Sequence, residues 1–150
     1  MNNPTTLALS RRKTAARALR VGGMLLWVAA GIHFVALPLL RQSVAPTLSP
    51  AAFDFVWPIL AFTFSLDGVL LLPLGFVAIY SARGLVQGER WARTLGLICS
   101  VTVLILPFLL IGVMGLRYFS AKPFLAAAIV IAAAGVSMTI PLLRLERSAA

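Results

Sequence analysis

One carboxylate stands in the middle of an otherwise uncharged stretch: Asp67, within FVWPILAFTFSLDGVLLLPLGFVAIY at residues 55–80. A charge at that depth in hydrocarbon costs about 2.5–3.5 kcal/mol on insertion scales, so it persists where a partner, a proton or a ligand offsets it. Thr63 lies one helical turn before it, and the single histidine, His33, sits in the preceding apolar run. A carboxylate, an imidazole and a hydroxyl can together carry a proton or hold a small polar ligand. Asp67, His33 and Thr63 are therefore the candidate ligand or proton site. Counted from the outer ends of their helices, His33 lies about 10 Å deep and Asp67 about 18 Å, at 1.5 Å per residue. A tilted helix, or one that starts early, brings the pair within reach, directly or through water.

Other chemistries find no support. A metal wants three or more converging ligands, and Cys99 stands near the opposite end of its run from the Asp67–His33 level, so no metal site is expected. One histidine cannot supply two axial haem ligands, and there is no Ser-His-Asp spacing, no phosphate-cradling glycine loop and no C-x-x-C. No cofactor is expected. An enzyme is disfavoured because no second acid–base group stands at the right depth. Cys99, alone in an apolar run, reads as a small packing residue.

The elements that must position Asp67 and His33 follow from composition. The chain has 150 residues, 61% hydrophobic and 11% charged, where a soluble domain would carry about a quarter charged residues. The expected fold is all-α: a polytopic integral membrane protein, a bundle of four transmembrane helices with spans at about 21–40, 55–80, 94–116 and 124–143. Residues 1–20 form a basic tail, expected as a helix along the membrane surface from Arg11 onward, and 144–150 a short C-terminal tail. The first run is longer than a signal-peptide core, so the tail is read as uncleaved. Ser49 followed by Pro50 predicts the start of the second helix. Gly84 and Gly88 are expected to break the loop before the third, with Trp91 as an interfacial anchor.

The net charge of +9 does not point to nucleic acid, because the bases fall in short segments between apolar runs. Arg11, Arg12, Lys13, Arg17, Arg20, Arg83, Arg90, Arg93, Arg144 and Arg147 lie on one side, against Arg41, Arg117 and Lys122 on the other. The positive-inside rule puts both termini in the cytoplasm, N-in and C-in, in the cell's inner membrane.

Helical spacing sets the faces. Gly68 and Gly75 fall on a small-residue stripe of the second span, beside the face of Asp67. Ala128, Ala132 and Gly135 make a similar stripe on the fourth. Small residues let helices approach closely in lipid, so these five are read as packing residues. On the first span His33 shares a face with Gly22, Leu26, Ala29, Ala30 and Ala36, which predicts that it turns into the bundle. The plan of four spans, a histidine in the first and a G-E-R-W-A-R turn before the third loosely resembles small bacterial membrane proteins of the DoxX-like kind. That pattern is shared by many small membrane proteins and carries over no site residue.

Two functions fit. In one, the protein binds or moves a small solute or proton at Asp67, as a homo-oligomer in the bilayer. In the alternative it is an accessory or assembly subunit that docks on a larger membrane complex through its small-residue faces, and Asp67 makes an interhelical hydrogen bond that fixes packing.

Overall fold

The computed structural model describes residues 4–115 and 122–146. Within them the regular structure is helical: α1 (Pro4–Val44), a 3-10 turn (Ala45–Thr47), α2 (Pro50–Gln87), α3 (Arg90–Met114) and α4 (Lys122–Glu146). Four helices are long and apolar enough to cross a membrane. The expected connection after the third span, with Arg117, and Arg147 of the C-terminal tail lie outside the described residues.

The bundle closes in chain order. α1 packs on α2 and α4, and α3 packs on the same two, so successive helices are neighbours and run antiparallel. The core is built from small residues: Ala29, Ala30, Ala78, Ala82, Ala92 and Ala134 are fully buried. Large apolar side chains point outward instead; Val113 is 80% and Phe55 75% exposed. Water would make such a surface aggregate, whereas lipid accepts large apolar groups outside and small residues between helices. The pattern is that of a multi-pass membrane protein.

Glycines set the helix spacing. A β-carbon on Gly75 would stand 2.8 Å from the Gly23 carbonyl oxygen, and one on Gly23 would stand 2.6 Å from that of Gly75. The backbones of α1 and α2 thus meet directly. At Gly135 of α4, a β-carbon would fall 2.8 Å from the Cα of Leu104 in α3. Gly68, Gly75 and Gly135 therefore serve contacts within this chain. Ala132 is half-buried on the same α4 face.

Two expectations change at the basic end. Gly84 is no loop residue: α2 runs through it to Gln87. Its missing side chain makes room for the next helix, since a β-carbon there would meet Ala92 at 2.7 Å and the Trp91 ring at 2.8 Å. Only Gly88 ends the helix, with φ 85° in the left-handed region that favours glycine. The Gly88 amide donates to Leu85 O and the Glu89 amide to Gly84 O, at 3.1 and 2.9 Å. That paired capping pattern turns the chain into α3 within two residues, and the Arg12 guanidinium lies over Gly88.

The basic tail also departs from expectation. It does not lie apart on a surface but forms the first turns of α1, a 41-residue helix. Ala15, Ala16 and Leu19 are buried and belong to the same core cluster as Ala82, Leu85 and Ala92. These apolar residues face the α2–α3 turn, while Arg11, Arg12, Lys13, Arg17 and Arg20 stay exposed.

The helix starts and the aromatic residues agree with the sequence reading. The Ser49 hydroxyl accepts from the Ala52 amide at 3.4 Å, with Pro50 in the first turn. Phe53 stacks on Trp57 at 5.7 Å, and Arg41 sits over the Trp57 ring at 5.9 Å. At the other end of α2, Tyr80 stacks on Trp91 at 5.1 Å. Each end of α2 thus carries an aromatic pair where an interfacial belt would stand.

Candidate functional site

The face predicted to turn His33 inward does so. Gly22, Leu26, Ala29, Ala30, His33 and Ala36 are all buried. The His33 Nδ1–H donates to Ala29 O at 2.9 Å. A carbonyl can only accept, so this bond fixes the proton on Nδ1 and leaves Nε2 for other partners. Gly68 lets α1 approach here, because a β-carbon on it would be 3.0 Å from the His33 Cβ. This contact brings His33 level with Asp67, the next residue on α2, and resolves the difference in depth counted along the sequence.

The two residues open into one cavity of about 370 Å³. All four helices line it: His33 from α1, Asp67, Leu71 and Leu74 from α2, Thr102 and Leu106 from α3, and Phe124, Ala127, Ala128 and Ile131 from α4. The imidazole and the carboxylate line the same space, but no hydrogen bond or ion pair joins them directly among the described residues. Leu70, Pro73 and Thr102, also at its wall, are exposed. The opening is therefore lateral, between α2 and α3.

Aromatic rings close one end. Phe64 is buried, packs on the His33 ring at 4.7 Å, and meets Phe124 edge-on at 5.1 Å. Beyond that closure stands Thr63, exposed, its hydroxyl donating to Ile59 O at 2.9 Å. The structure therefore brings Asp67 and His33 together and leaves Thr63 outside. The third polar side chain in the cavity is instead Thr102. Ser100, Ser137 and Thr139 satisfy their hydroxyls on carbonyls of the preceding turn, whereas Thr102 makes no such bond among the described residues. Its signal in the sequence is faint: Thr102, Leu106 and Leu110 recur every four residues and face the cavity together. On α4, Ala128, expected as a packing residue, lines the cavity as well.

The α2 segment along the wall is held from both sides. Pro73 has no amide hydrogen and so cannot donate to the carbonyl four residues back. Flanking it, the Trp27 indole of α1 donates to Leu72 O at 3.1 Å, and the Cys99 thiol of α3 donates to Leu74 O at 3.3 Å. Cys99 thus has the packing role expected of it, with a weak hydrogen bond added.

No family model matches this chain, and neither a curated protein nor a solved structure matches it. The cavity itself carries the functional argument.

What the arrangement can do chemically is limited and specific. Its walls are apolar apart from one carboxylate, one imidazole and one hydroxyl. It has the size of a small-molecule site, for which about 300–1,000 Å³ is usual. Its two ionisable groups come from different helices.

Proposed function

We propose that the protein is an inner-membrane protein with both termini in the cytoplasm, acting as an oligomer, that binds or moves a small solute or a proton through the cavity between His33 and Asp67. The observation that supports this is that both residues line one largely apolar cavity to which all four helices contribute. An acid kept only to fix packing would face a neighbouring helix, hydrogen-bonded to it. Asp67 instead lines the cavity. The accessory-subunit reading draws less support, because Gly68, Gly75 and Gly135 are occupied by contacts inside the chain.

Protein taken from its native membranes into mild detergent and weighed intact by native mass spectrometry is expected to carry a small-molecule adduct. Ala128→Phe, which fills the cavity, should lose that adduct while keeping its helix content and elution volume. Identical spectra for the two proteins would remove the solute reading. A second protein at fixed stoichiometry in both would favour the accessory role.

The orientation has its own test. Cysteines introduced at Ser43 and Gln87, both exposed and at opposite ends of the bundle, are expected to react with a membrane-impermeant maleimide from outside and only after lysis, respectively. Labelling of Gln87→Cys in intact cells would reverse the proposed topology.

A further inference from the structure

The polar groups of the cavity are unequal in kind, and this says what they could hold. Asp67, as a carboxylate, only accepts hydrogen bonds. His33 has committed its Nδ1–H to Ala29 O, and in its neutral form the ring presents Nε2 as a further acceptor. Thr102 supplies a hydroxyl that can turn either way. No Lys or Arg lines the space. A ligand anion would therefore find no Lys or Arg to pair with, and would stand against a carboxylate.

We infer that the cavity is built for an organic cation: a compact apolar body bearing a protonated amine, seated with its N–H groups on Asp67 and His33. This rests on the cavity reading proposed above and adds the chemistry of the ligand's head group. The ammonium neutralises the one carboxylate, and the apolar walls from α2, α3 and α4 cover the body. A buried charge needs a partner of opposite sign, and an amine offers both the charge and the donors that the site lacks. The lateral opening beside Leu70 and Pro73 suits a ligand that first dissolves in the bilayer.

Three probes of one shape separate the head group from the body: 1-aminoadamantane, 1-adamantanol and 1-adamantanecarboxylate. Each is titrated calorimetrically at neutral pH into the full-length protein in detergent, with empty micelles subtracted. The amine is expected to bind at least about tenfold more tightly than the alcohol, with the carboxylate weakest. Asp67→Asn should erase the amine's advantage, and Ala128→Phe should abolish binding of all three. Equal affinities in the wild type, or a tighter carboxylate, would overturn the cation assignment while leaving the cavity as a solute site. No binding by any probe, or binding that survives Ala128→Phe unchanged, would remove both. The wild-type ranking decides the head group by itself if Asp67→Asn does not fold.

Discussion

Gly75→Leu is expected to prevent α1 and α2 from closing. The position admits no side chain: a β-carbon would meet the Trp27 ring at 2.6 Å and the Gly23 carbonyl at 2.8 Å. The ring could swing away, giving up its bond to Leu72 O, but the carbonyl is backbone and can yield only if the helix moves. Overpacking a core typically costs about 1–3 kcal/mol, and more where backbone obstructs. The loss should reach the upper end of that range, read as a lower midpoint of unfolding when helicity is followed against rising SDS. Gly31→Leu is the control, because no atom lies within 4 Å of a β-carbon there. Equal stability of the two variants would mean that α1 and α2 do not meet at Gly23 and Gly75.

The second large effect is expected from His33→Ala. The substitution removes a buried ring that packs on Phe64 and enlarges an existing cavity, a change that costs about 2–5 kcal/mol for large buried side chains. It also removes the imidazole that shares the cavity with Asp67. Combining it with Asp67→Asn should recover part of the loss, about 0.5–3 kcal/mol, as residues that share a cavity couple. A complete cycle of the two single variants and the double, measured by unfolding in detergent, isolates that coupling. Simple additivity of the two losses would show that His33 and Asp67 are independent and that the cavity is not one site.

Much of this arrangement was legible in the sequence because membrane helices obey a short list of constraints. The four apolar runs, the cap at Ser49 and the inward face of α1 followed from length, one hydroxyl–proline pair and helical period. Gly84 was not legible in that way. A glycine is read as a breaker or as a packing surface depending on what approaches it, and here Trp91 and Ala92 return from the next helix to cover it. Ala15, Ala16 and Leu19 carried a helical apolar spacing amid the basic tail, but the bases dominated the reading. For the site, Asp67 and His33 stood out by their cost in lipid. Thr63 shares a face with Asp67, but a wheel shows direction and not where a cavity stops; the Phe64–Phe124 contact decides that. Thr102 had no such cost, and its place at the wall depends on how α3 sits against α2.

The four walls of the cavity are not made at the same time. α1, α2 and α3 leave the ribosome first, and the tight turn at Gly88 and Glu89 allows α2 and α3 to pair as soon as both exist. Phe124, Ala127, Ala128 and Ile131 all belong to α4, which is synthesised after the other three. Without α4, His33 and Asp67 would line an open trough that lacks Phe124 and its fourth side. The arrival of α4 is thus the step that completes the site's walls. The newborn chain carries its intramembrane carboxylate without this wall until α4 is in place.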